Sequence, residues 1–187
     1  MTETSLPTAP TTGPDTAAAA ALPRLDLATA WTVLIAGALA TVAFDLFGQT
    51  ISPLLISVAS PYLGAKLAPV PLAQAVLAKI SGVPGKELAA LGIPYGLHTL
   101  TGLIAYPLGW LLVVRPLQAQ FAPQMPWWIA AATYGVALWA FALYGMAHLV
   151  AGNAPFLGWG SITWVALWGH VLFALVAAGV IEARLRR

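Results

Sequence analysis

Four ionisable side chains stand inside apolar, otherwise uncharged stretches of this sequence: Asp45, His98, His148 and His170. Asp45 interrupts the run ATVAFDLFGQT, residues 40–50, and the histidines are all that the chain contains. Imidazole is the side chain that titrates near neutral pH, and a carboxylate beside it favours its charged form, so such a set can handle protons or cations. Asp45, His98 and His148 would also make a three-ligand metal set with an open position, and paired histidines can clamp a haem between helices. No metal-binding spacing such as HExxH accompanies them. The plainer alternative is interhelical hydrogen bonding, worth about 0.6–2 kcal/mol per contact in a membrane.

The elements that carry these residues must be membrane helices. Of 187 residues, 60% are hydrophobic and 7% charged, whereas a soluble domain carries roughly 25% charged residues. Mean hydropathy is +0.84. The expected fold is an all-α membrane protein, a four-transmembrane-helix bundle, with spans near 29–51, 95–114, 127–150 and 159–181. Each approaches the ~20 residues that cross a hydrocarbon core of about 30 Å. Each span brings one member of the set: Asp45, His98, His148 and His170 in chain order. An ionisable group in such a helix costs at least ~2.5 kcal/mol on insertion scales, so it turns inward toward a partner. Small residues at helical spacing mark those inward faces: Thr41 and Gly48 around Asp45, Gly102 and Ala105 after His98, Ala166 and Ala174 around His170. At 1.5 Å per residue, Asp45 and His98 fall about 9 and 5 Å below one membrane edge, His148 near that edge, and His170 near the midplane. The spacing therefore predicts an Asp45–His98 hydrogen bond in the bundle interior.

The remainder divides simply. Residues 1–24, rich in Thr, Pro and Ala without a base before Arg24, read as a disordered tail, and 25–187 as one transmembrane domain. Between spans one and two, LAQAVLAKI at 72–80 repeats apolar residues at helical spacing and predicts a short interfacial helix. The apolar stretch 53–63 is too short to span and is either re-entrant or packed on the bundle. Pro107 predicts a kink, because it cannot donate to the carbonyl of Leu103. GWGS at 158–161 lacks the context of a nucleophile elbow, and GIPYG at 92–96 reads as a turn. Arginines at 24, 115, 184, 186 and 187 gather on one side of a four-span arrangement and lysines at 66, 79 and 86 on the other. The positive-inside rule then puts both termini in the cytoplasm.

The absence of cysteine removes disulfides, zinc-thiolate sites, iron–sulfur clusters and covalent haem attachment. A net charge of +2 leaves no nucleic-acid footprint. Expected partners are the lipid bilayer and other membrane subunits or a second copy. The segment GALATVAFDLFGQ, with LHTLTGLIAYPLGW and GMAHLVAG, resembles small multi-pass proteins of the bacterial inner membrane. That resemblance implies the location and brings no activity. Two functional readings stay open at this point. One is a non-enzymatic accessory or transporter-like bundle whose Asp45 and histidines form an outer-side polar cluster, with no cofactor. The other is a redox protein holding haem or a divalent metal on the intramembrane histidines.

Overall fold

A carboxylate sets the first helix boundary. Asp26 accepts the Thr29 N–H at 2.8 Å and caps α1, Leu27–Leu54, which therefore starts ahead of residue 29. The computed structural model describes residues 26–55, 62 and 64–186. The tail at 1–24 and most of the 53–63 stretch lie outside these described residues. Five further helices follow: α2, Pro69–Ser81; α3, Gly85–Ala90; α4, Ile93–Phe121; α5, Trp127–Val150; and α6, Ser161–Leu185. Among the described residues there is no strand. α1, α4, α5 and α6 are long and apolar enough to cross a membrane. Leu39, Val42, Leu46, Leu100 and Trp168 point outward from them, exposed, as a hydrocarbon solvent requires. α4 runs past residue 114 through a polar last segment, and α6 starts after Trp159 and Gly160, which belong to the preceding turn.

The spans stand in the order α4, α1, α6, α5, with α6 packed along both α1 and α5. Close approach is bought by glycine: a Cβ on Gly37 would overlap the Leu103 carbonyl of α4, and one on Gly135 would stand 2.5 Å from Val171 Cα. Two apolar cores result. Val33, Ala36, Trp110, Leu111, Ala178 and Ile181 fill the end that carries the termini, and Ala40, Phe44, Leu143, Val165 and Phe173 belong to the core toward the opposite end. α4 meets α5 toward the terminal end, through Trp110–Val114 and Arg115–Phe121, and further along through the Tyr134 hydroxyl, which donates to the Tyr106 carbonyl at 2.8 Å. Toward the far end the two helices part, and α2 stands against both, on Ile93–Leu100 and Phe141–Val150.

The prolines inside the spans are absorbed by widened turns. Phe47–Ile51, Thr101–Ala105 and Trp110–Val114 are π-helical, and each ends two residues before a proline, Pro53, Pro107 or Pro116. Widening accommodates the ring and the missing N–H without ending the helix. The Leu103 carbonyl that Pro107 leaves without its usual donor abuts Gly37. In α1 the consequence is larger. Ser52 N–H turns to the Phe47 carbonyl, and Pro53 has no N–H, so the Gly48 carbonyl is free to accept from Leu67 N–H at 2.9 Å. Ser52 Oγ completes the clamp, accepting from Gly64 N–H at 3.2 Å and donating to Ala65 O at 3.1 Å. The chain at 64–68 is thereby tied back onto the end of α1.

The α5–α6 turn is left-handed: Phe156, Leu157, Gly158 and Trp159 have φ of 49°, 53°, 74° and 59°. For the non-glycine residues this costs about 1–2 kcal/mol each. Aromatic packing and two hydrogen bonds hold it. Phe156 lies 4.7 Å from Trp139 and 4.6 Å from Trp159 between ring centroids. Thr163 Oγ1 donates to the Phe156 carbonyl, and Trp139 Nε1 donates to Thr163 O at 3.0 Å.

Candidate functional site

The parting of α4 and α5 leaves a cavity of about 550 Å³ in the far half of the bundle. Its walls are overwhelmingly apolar, and its floor and sides come from α1, α4, α5 and α6, with α2 and the tied-back 64–68 segment as a further wall. Thr41, Lys66, His98, Thr101, Tyr106 and His170 are the lining residues with polar side-chain groups.

The structure brings Asp45 and His98 together and shows the terms of their contact. Asp45 Oδ1 lies 3.6 Å from His98 Nε2, an ion-pair distance too long for a hydrogen bond. The expected hydrogen bond is replaced by one from Gln49 Nε2 to the same carboxylate oxygen at 3.0 Å. Nor is Asp45 buried as expected: its side chain is 33% exposed, against 22% for His98. Gln49, one turn on, lets the carboxylate be satisfied at the helix surface. His98 Nε2 is itself buried and has no hydrogen-bond partner among the described residues, and the same holds for Thr41 Oγ1.

His170 stands deeper. It is buried, its Nδ1 donates to the Ala166 carbonyl at 2.7 Å, and its ring meets Phe44 edge-on with centroids 5.1 Å apart. The carbonyl can only accept, so Nδ1 carries the proton and Nε2 offers a lone pair to the cavity side. The Phe44 ring also lies against His98, at 6.4 Å, so both imidazoles share one aromatic neighbour.

His148 is engaged elsewhere. Its Nδ1 donates to Asn153 O at 2.7 Å, and its ring rests on Tyr144 at 5.3 Å. Asn153 returns two hydrogen bonds to the Ala147 carbonyl, from its backbone N–H at 2.9 Å and Nδ2 at 3.0 Å. This is the closing network of a helix end, where the last carbonyls lack intrahelical donors. The three-ligand set of Asp45, His98 and His148 is not assembled: among the described residues no group of three or more His, Asp or Glu could hold a metal ion.

Two features lie outside the sequence reading. Tyr106 becomes a cavity wall, beside the inward-facing Thr41, through the divergence of α4 from α5. At the terminal end, Arg115 Nε pairs with Glu182 Oε1 at 3.0 Å, with side chains 14% and 12% exposed. The two are far apart in sequence, and the signal was only that each stands at the polar end of its span. Comparison of the chain with protein-family models, curated proteins and solved structures finds no match.

Proposed function

We propose that this chain is a multi-pass protein of the bacterial inner membrane, both termini cytoplasmic, that receives a lipophilic small molecule from the bilayer. In this reading it is not an enzyme but an accessory or transporter-like bundle, and α2 lies in the outer interface over the site. The carrying observation is the 550 Å³ cavity, apolar but with Thr41, His98, Tyr106 and His170 among its lining residues. Cavities of about 300–1,000 Å³ with a few convergent polar groups are the usual form of small-molecule sites. Leu97 and Phe141, on the two helices that part, line it and are 38% and 54% exposed, so its mouth opens sideways on the apolar face of the bundle. A ligand soluble in hydrocarbon reaches such a mouth directly. The Asp45–His98 pair adjoins the cavity and ties its polar edge to α1 and α4.

The test is uptake of the apolar fluorophore Nile red by the purified protein in nanodiscs. Saturable binding is expected, and Ala105→Trp, at an exposed wall position, should abolish it without lowering the melting temperature. Unsaturable partitioning that Ala105→Trp leaves unchanged would refute the reading. The alternative, haem or a divalent metal on the intramembrane histidines, is tested on the same sample by its visible absorption spectrum and metal content.

A further inference from the structure

We infer that the molecule this cavity takes is an isoprenoid quinone, its ring held among Phe44, Tyr106, His170 and Phe173 and its tail leaving between Leu97 and Phe141. The inference rests on the ligand-receiving reading above and adds the chemistry of the ligand.

Shape comes first. Phe44 meets His170 edge-on at 5.1 Å, Tyr106 meets Phe173 edge-on at 5.7 Å, and Tyr106 is tilted 53° to His170 at 6.4 Å. Edge-on and tilted contacts at these spacings are the ones aromatic rings favour, and a flat ligand ring can join the cluster in the same way. The volume of about 550 Å³ exceeds what a single ring needs and accommodates the first part of a tail. The sideways mouth between Leu97 and Phe141 then lets the remaining tail lie in hydrocarbon.

Hydrogen-bonding chemistry selects the head. Tyr106 lines the cavity, and among the described residues no hydrogen bond engages its hydroxyl. That hydroxyl can donate to a ring carbonyl oxygen. His170 Nε2, whose ring partner Nδ1 is committed to Ala166 O, accepts. A quinone presents carbonyl acceptors, and its reduced form presents hydroxyl donors, so one set of neutral groups serves both forms. A fatty acid or phospholipid head asks for a cation at depth. The lining cation, Lys66, is exposed on the 64–68 segment, and the deep groups are hydroxyl and imidazole.

The experiment titrates decylubiquinone against the protein in nanodiscs, following displacement of Nile red, with sodium oleate as comparator. Decylubiquinone is expected to displace the dye saturably and oleate to leave it in place. Tyr106→Phe removes a hydroxyl that has no hydrogen bond among the described residues, so it should melt at or above the wild-type temperature. It should nonetheless bind decylubiquinone about 2–10-fold more weakly, the loss of one neutral hydrogen bond, while Nile red binds as before. If decylubiquinone fails to displace a dye that Ala105→Trp does exclude, or oleate displaces it equally, the quinone assignment is wrong and the cavity reading stands. Unchanged decylubiquinone affinity in Tyr106→Phe also overturns the assignment. A dye indifferent to Ala105→Trp removes the cavity reading itself.

Discussion

Gly135→Ala and Gly102→Ala are the same chemical change at two helix contacts, and the structure assigns them different costs. A Cβ on Gly135 would stand 2.5 Å from Val171 Cα and 2.7 Å from the His170 carbonyl oxygen. Carbon contacts settle at about 3.5–4.0 Å, so α5 and α6 would have to separate by about 1 Å against backbone that cannot rotate away. Overpacking of this kind costs about 1–3 kcal/mol, offset by about 0.5–1 kcal/mol gained when alanine replaces glycine in a helix. A net loss of about 1–2 kcal/mol follows. At Gly102 the obstacle is Thr41 Oγ1, the end of a side chain with no hydrogen bond to lose, while Thr41 Cβ and Cγ2 are at an ordinary 3.4 and 3.5 Å. Rotation of Thr41 about χ1 relieves the contact, and threonine has two accessible helix rotamers. Gly102→Ala is then neutral or slightly stabilising. Thermal unfolding in detergent reads the difference: at about 2–4 °C per kcal/mol for a chain of this size, Gly135→Ala should melt about 2–8 °C lower and Gly102→Ala within about 2 °C of wild type. Equal losses at both positions would show that what lies opposite a glycine, backbone or rotatable side chain, does not govern the cost.

Ser52→Ala should cost about 1–3 kcal/mol, because it leaves Gly64 N–H and Ala65 O without their buried partner. A lower melting temperature together with faster labelling of a cysteine placed at Ala65 checks it. Since the chain contains no cysteine, Ser81→Cys and Gln124→Cys, both exposed, report topology directly. Ser81→Cys should be labelled from outside and Gln124→Cys only from the cytoplasm, the reverse pattern overturning the orientation. Asp26, whose carboxyl is held below its ordinary value of 3.8 by the Thr29 backbone N–H, should stabilise α1 fully above that value. The contribution is lost as pH falls through the lowered value, since protonation removes the charge that the cap favours. The melting-temperature difference from Asp26→Asn should therefore be constant from neutral pH down to the carboxylate range and shrink only in strong acid.

Apolar length made the four spans legible, since a run that must hide its backbone in hydrocarbon has no other solution. Their ends were less so. The Asp26 cap is present in the sequence as a carboxylate just before an apolar run, yet hydropathy starts the helix at 29, because it counts side chains and ignores orphan N–H groups. Pro107 was visible as a disturbance, but the response was not: three prolines are answered by the same device, a wide turn placed just upstream, which leaves the helix continuous.

The candidate site divides along the same line between depth and azimuth. Rise per residue placed Asp45 and His98 at similar depths, and their spans are neighbours, so their approach to 3.6 Å required only that small-residue faces pack. His148 met the same depth criterion. Its helix, however, is separated from α1 by α6 in the packing order, and it lies in a last turn whose carbonyls need donors. A histidine there is drawn to the nearest backbone oxygen before any distant carboxylate, since the local contact orders fewer groups. The cavity was illegible for a further reason. It exists because α4 and α5 touch at one end while α2 stands between them at the other, and no residue type announces that divergence. Thr41 carries the point: its hydroxyl reads as a helix-packing group in sequence. In the fold it is buried against Gly102 and, among the described residues, bonds to no carbonyl, while the residue lines the apolar cavity left where α4 and α5 part.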